Sequence, residues 1–389
     1  VFRGGLIVLK KIVSTLLLTV FFGILPVSAA PATVFDVAAG SAVLVEVSTG
    51  QLLFDKGADI PLPPASITKL MTLLLALEAV EKGQVAWDDP VIVSERAWRM
   101  GGSEMFLKIG QEVTFGDLLT GISVVSANDA CIAVAEHLAG SEEIFVQRMN
   151  KRASELGMTN SSFVNSSGIP ATGHQMSARD IALLSRYLVQ KHPKVLELYA
   201  KREFTFNDIR QFNRNPLLGR FPGADGLKTG WTDEAGYCLV GTAVQDGIRL
   251  ISVVLNTAGE QERLTATQKL LNYGFRNFEL HTAAAAGDHI GEGVPVRDGR
   301  KPFVPVTSKE DIRVMVPAGR QPADLELLIA ETADLLAPVK AGTSAATLEV
   351  RLDGITLATA ELVTAEDISR ANLFVRLLRA VSRLFLNLF

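Results

Sequence analysis

The sequence predicts an α+β protein within the broad α/β class: an antiparallel sheet packed by helices, an all-α lobe set between its strands, and a small all-β domain behind it. Three observations predict this. Apolar residues alternate near residues 41–54, recur at helical spacing from 66 to 190, and alternate again past Pro222-Gly223. From about residue 279, glycines at 287, 291, 293 and 299 punctuate short Val-rich segments with no helix-length period before residue 365. A chain of 389 residues with 48% hydrophobic and 21% charged residues is globular and long enough for two domains.

Taken in order, the first thirty residues stand apart. Arg3, Lys10 and Lys11 precede an apolar run at 12–25 and the small residues Val27-Ser28-Ala29-Ala30. This is the layout of a cleavable secretory signal peptide over residues 1–30, with an uncleaved N-terminal anchor as the alternative. Residues 41–46 and 51–54 flank Ser48-Thr49-Gly50 as a β-hairpin. Helices are expected at 66–82, at 115–138 with a polar break at Ser126-Ala127-Asn128-Asp129, at 142–156, and at 177–190 behind an N-cap Ser177. Residues 226–231, 236–244 and 248–256 read as three successive strands, and 260–278 as the helix that closes a first domain spanning 33–278. The β-rich segment 279–365 suggests a spacer or docking module. Residues 366–389 form an amphipathic pattern, with Phe374, Leu377, Leu378, Val381, Phe385 and Leu388 on one face and Arg370, Arg376, Arg379 and Arg383 toward the other. Such a helix suits a membrane surface; the alternative is a helix folded back on the β domain.

Composition excludes several classes. The net charge is −4, and residues 1–30 contribute only basic charges, so the remainder is more acidic still and ill suited to nucleic acid. Two cysteines, Cys131 and Cys238, make no disulfide framework. Both sit in apolar contexts that favour buried free thiols, with one disulfide left open. No metal cluster, phosphate-cradling loop or nucleotide fingerprint occurs, so no cofactor is implied.

Chemistry begins at Ser66-Ile67-Thr68-Lys69. Three residues apart on a helical turn, the hydroxyl and the amine face the same way. An amine that burial strips of its proton can activate a serine without histidine. Pro63-Pro64 suit a helix start, which would put Ser66 at the positive end of the dipole. Two further tripeptides follow, Ser126-Ala127-Asn128 in the polar break and Lys228-Thr229-Gly230 on the first strand after the helical lobe. No G-x-S-x-G occurs, and none of the histidines at 137, 174, 192, 281 and 289 has a triad context.

The ordered set S-x-x-K, S-x-N, K-T-G is the signature of serine β-lactamases and penicillin-binding proteins. The whole chain resembles the low-molecular-mass penicillin-binding proteins that act as D-alanyl-D-alanine carboxypeptidases. The segments 126–131, 177–180, 203–207, 211–215 and 225–230 share in the likeness, as does the layout of signal peptide, catalytic domain, β-rich domain and C-terminal anchor. The resemblance implies a β-lactamase/transpeptidase-like catalytic domain and an exported enzyme, held peripherally on the periplasmic face of the inner membrane. It would remove the terminal D-alanine from peptidoglycan stem pentapeptides and be acylated by β-lactams. Ser66 would attack, Lys69 take its proton, Ser126 pass a proton to the leaving D-alanine, and Asn128 hold the substrate backbone and Lys69. Lys228 would keep Lys69 neutral and attract the anionic substrate, Thr229 would bind its carboxylate, and Gly230 would let its backbone approach the sheet. The resemblance also places the amides of Ser66 and Trp231 in an oxyanion hole, and Arg263, with Arg214 nearby, against the substrate carboxylate. Trp231 is a departure at a position that varies in the family. A DD-endopeptidase and a β-lactamase share these motifs, although no E-x-x-L-N element lies between Ser126 and Lys228. A catalytically dead peptidoglycan-binding scaffold is opposed by the intact set.

Overall fold

The computed structural model describes residues 35–331 and 334–376. The expected signal segment 1–30 and most of the expected C-terminal helix therefore lie outside the described residues. Among the described residues, those from Val37 to Arg376 form one compact unit containing two hydrophobic clusters, one in the sheet and helical lobe and one in the β-rich part.

The first sheet is antiparallel. Its order is Leu52–Lys56, Ser41–Glu46, Ile248–Thr257, Gly236–Gln245 and Ala224–Gly226, with Thr229–Thr232 also paired to Gly236–Gln245. Every residue of Ser41–Glu46 is buried, because strands pair on both its edges and helices cover the sheet. The expected strand at 226–231 is two short ones. The amides of Leu227 and Lys228 both donate to the Val240 carbonyl, so the ladder breaks there as at a bulge. Lys228 lies in that break rather than on a strand.

Helices fill the space between the first hairpin and the later strands. Lys69–Glu81 is buried along most of its length, as its run of leucines and alanines with little polar face requires. Ahead of it, residues 65–68 form a 3-10 turn where a single α-helix from 66 is expected. The region 115–138 divides into Phe115–Val124 and Asn128–Ala139, with Ser126 left-handed (φ 66) between them. Ser177 caps Ala178–Lys191 by accepting the Asp180 amide at 3.2 Å, and Glu260–Asn277 closes the domain. A hairpin of Glu203–Phe206 and Ile209–Phe212 is an element the hydrophobic period did not reveal.

In the β-rich part, Glu326–Glu331, Ser344–Leu352, Ile355–Thr364, Phe303–Thr307, Ile290–Arg297 and Leu335–Leu336 form one sheet in that order, and Phe278–Ala284 pairs with Ile312–Pro317. The helix expected from 366 starts later. Ile368 is buried and bridges Val339, Arg370 bridges Gly299, and helical residues begin only at 373. The apolar side chain at 368 belongs to the β core, so the amphipathic pattern has its origin beyond it. No helix among the described residues is long and apolar enough to cross a membrane.

Gln51 clasps the two parts together. Its Nε2 donates to the Met315 carbonyl at 3.1 Å and its Oε1 accepts the Met315 amide at 2.6 Å, as a neighbouring strand would. Replacing Gln51 by Ala removes both bonds and is expected to cost about 1–3 kcal/mol. Urea denaturation should show a lowered midpoint; an unchanged midpoint would mean that the clasp adds nothing.

Candidate active site

Lys69 is the first residue of a helix that the core surrounds, and its side chain is wholly buried. Its Nζ has three acceptors from three elements: Ser66 Oγ at 3.0 Å, Asn128 Oδ1 at 2.7 Å and the Ser167 carbonyl at 2.5 Å. Asn128 is oriented in turn by donating its Nδ2 to the Gly101 carbonyl at 2.8 Å. The chain reverses at Ser126 between two helices, which leaves the Ser126 hydroxyl buried with no partner in the protein.

Ser66, Ser126, Asn128, Thr229, Gly230, Trp231, Arg214 and Arg263 all line one groove of about 990 Å³. Lys69 and Lys228 are buried beneath it. Thus every residue singled out from the sequence converges on one place. Arg214 reaches over the groove and donates to Ser103 Oγ at 2.7 Å. Lys228 Nζ donates to the Thr229 carbonyl at 2.8 Å. Trp231 stands half exposed in the wall.

Gly230 serves a second purpose. A Cβ there would come within 2.9 Å of the Pro64 carbonyl and 3.2 Å of Ala65 Cβ, so the glycine lets the Thr229–Thr232 strand press on the turn that carries Ser66. From another side Gly168 (φ 85) does the same, because a methyl there would overlap the Ala65 carbonyl. Ala65 itself is left-handed at φ 48, a strained conformation for a residue with a Cβ.

Electrostatics follow from burial. Desolvation of the charged amine brings Lys69 down to about 8, with the Arg214 guanidinium adding to it and Asp129 opposing. Lys228 is held well below the usual lysine value, first by burial and then by repulsion from Lys69, Arg214 and Arg263. Lys228 is not among the causes that lower Lys69, which are burial and the Arg214 guanidinium, so the expectation that Lys228 keeps Lys69 neutral draws no support from these shifts. Burial pushes Cys131 up to about 12. It is a neutral thiol packed near Lys69, and both cysteines are free and buried. Among the described residues no His/Cys/Asp/Glu group could hold a metal ion.

Several contributors carried no signal in the spacing. Ser167 acts through its carbonyl, which any residue possesses. Asp129, inside the polar break, accepts the amides of Met105 and Leu107, each at 3.1 Å, and so fixes the lip that presents Gly101. His174 touches Thr68 Oγ1 at 2.7 Å, and that hydroxyl donates to the Ala65 carbonyl at 2.8 Å. The Val164 amide donates to His174 Nδ1 at 3.1 Å. The hydrogen-bond pattern thereby assigns the proton to Nε2, and burial, helped by Lys69, brings this imidazole down to about 4.

Comparison with known proteins gives a concordant result. Residues 27–259 match the family described as D-alanyl-D-alanine carboxypeptidase, and residues 278–370 match the C-terminal domain of penicillin-binding protein 5. The chain is 38% identical over 348 residues to D-alanyl-D-alanine carboxypeptidase DacF of Bacillus subtilis, covering 88% of this chain and 89% of that protein. It is 35% identical over 354 residues to DacA of Escherichia coli K12, covering 89% and 88%. Penicillin-binding protein 5 of Haemophilus influenzae superposes with a TM-score of 0.81 at 34% identity, over 87% of this chain and 99% of that one. The ampicillin-bound penicillin-binding protein D2 of Listeria monocytogenes superposes with a TM-score of 0.58 at 35% identity, over 62% and 99%. With the S-x-x-K, S-x-N and K-T-G residues gathered at one groove and likeness along nearly the whole described chain, the protein belongs to the D-alanyl-D-alanine carboxypeptidase family of serine peptidases among the penicillin-binding proteins.

Proposed function

We propose that this chain removes the terminal D-alanine from peptidoglycan stem pentapeptides through an acyl-enzyme on Ser66. The observation that carries the reading is the environment of Lys69. A neutral amine has two N–H bonds and one lone pair. Asn128 Oδ1 and the Ser167 carbonyl can accept both N–H bonds, which aims the lone pair at the Ser66 hydroxyl.

Lys69 takes the Ser66 proton as Oγ attacks the carbonyl carbon of the penultimate D-alanine. The amides of Ser66 and Trp231 hold the oxyanion. Collapse breaks the peptide bond, and the proton reaches the departing amine through Ser126, whose hydroxyl has no protein partner to compete. Water then hydrolyses the ester and frees Ser66. Thr229, Arg263 and Arg214, which line the groove, receive the substrate carboxylate, and Asn128 holds its backbone.

A penicillin would take the same path as far as the ester. Among the described residues the carboxylate lining the groove is Glu260, which faces Arg263 at 3.4 Å and is not aimed at Ser66. This favours a long-lived acyl-enzyme over β-lactamase turnover, and the ampicillin-bound Listeria relative supports penicillin as a ligand. Export through residues 1–30, and a peripheral seat on the inner membrane through the apolar and arginine-rich segment 373–389, complete the reading.

Four outcomes are expected. Ser66→Ala abolishes both D-alanine release from a pentapeptide and covalent labelling by penicillin; retained release would overturn the assignment. Because Lys69 must be neutral and its proton leaves at about 8, the acylation rate should rise about tenfold per pH unit below that value and level off above it. Lys69→Arg, which stays protonated, should lose about 10²–10⁴-fold at any pH. Deleting residues 373–389 should release the protein from membrane vesicles with its activity intact, whereas unchanged sedimentation with vesicles would refute the anchor.

A further inference from the structure

Arg263 has fewer hydrogen bonds than a buried guanidinium ordinarily takes. It is only 5% exposed, yet its Nε has no partner. Its contacts to the Gly230 carbonyl and to Glu260 Oε1 are both long, at 3.4 Å. Glu260 is mostly exposed, so solvent weakens that attraction.

An aromatic ring takes the place of a firmer anchor. The Arg263 guanidinium carbon lies 5.4 Å from the centroid of Tyr237. Tyr237 leans on Trp231, with centroids 5.8 Å apart and ring planes at 40°. These two residues face each other across paired strands, next to the pair of Gly230 and Cys238, and both line the groove. A ring face attracts a cation through its quadrupole and uses none of its N–H bonds. A carboxylate behind Arg263 would engage the fork and cancel its charge before any ligand arrived.

We propose that Tyr237 is a positioning residue for recognition of the substrate's terminal carboxylate: its ring holds Arg263 at the groove while leaving the N–H fork open for that carboxylate. This rests on the reading of Arg263 as a carboxylate receptor in a D-alanine-releasing enzyme. Trp231 fixes the tilt of Tyr237, which gives the aromatic side chain after the K-T-G motif a use apart from its amide. On this proposal the ring face holds the cation, the contact that the 5.4 Å separation describes.

The test compares a peptide ending in D-Ala-D-Ala with the same peptide bearing a C-terminal carboxamide, using the full-length protein. Tyr237→Leu should raise KM for the acid about tenfold with kcat nearly unchanged, and should leave kcat/KM for the amide within about twofold. Tyr237→Phe keeps the ring and should behave as the wild type. Arg263→Ala should abolish the preference for the acid, and adding Tyr237→Leu to it should cost nothing more. Thermal melts of each variant check folding. Equal losses on acid and amide, or an unchanged KM for the acid in Tyr237→Leu, would overturn the proposal while wild-type D-alanine release still stood. No D-alanine release by the wild type would instead fail the reading beneath it.

Discussion

A lysine amine with no contact to water governs this structure. Burying Lys69 is unfavourable in its charged form, and the fold offsets the cost by bringing three acceptors from separate parts of the chain to one nitrogen. Each acceptor imposes a constraint of its own. Asn128 requires the chain to reverse at a left-handed Ser126. Ser167 requires a loop so close to the nucleophile turn that residue 168 must be glycine. Ser66 requires a tight 3-10 turn instead of a regular helical one. The all-α lobe supplies the apolar surroundings that keep the amine dry, and the sheet supplies the opposite wall.

The groove is therefore a cationic hollow in an otherwise acidic protein. The Arg214 and Arg263 guanidinium groups line it, while the buried carboxylate of Asp129 is occupied with the amides of the lip and is raised by burial. Such a field selects an anionic ligand before any contact is made. On the proposed reading the basic groups divide their duties. Those beneath the groove set proton affinity, and those in its wall meet the ligand.

What the sequence disclosed and what it hid divide along physical lines. The roles proposed for Ser66, Lys69, Ser126, Asn128 and Lys228 rest on side chains whose chemistry few residues share, so their spacing could be read. Ser167 acts through a carbonyl, and His174 acts through Thr68 and a backbone amide across a hundred residues of chain, so neither left a pattern. The main strands and helices were legible from their hydrophobic period. The break at Leu227 and Lys228 was not, because it depends on which carbonyl two adjacent amides share. The tail was misjudged at its start for a related reason. Ile368 fits an amphipathic helix as well as it fits a β core, and only tertiary packing decides between them.

His174 carries a consequence for the fold in acid. In the fold its imidazole stays neutral down to about 4, whereas in an unfolded chain it would accept a proton near 6.5. As acidity increases through that interval the unfolded state gains protons that the native state refuses, so native stability declines, by on the order of 3 kcal/mol once the lower value is reached. Protonation at Nδ1 would also set two donors against each other at the Val164 amide and loosen Thr68, the neighbour of the attacking serine's partner. Through Thr68 and the Ala65 carbonyl, the acidity of the surroundings thus acts on the turn that bears Ser66.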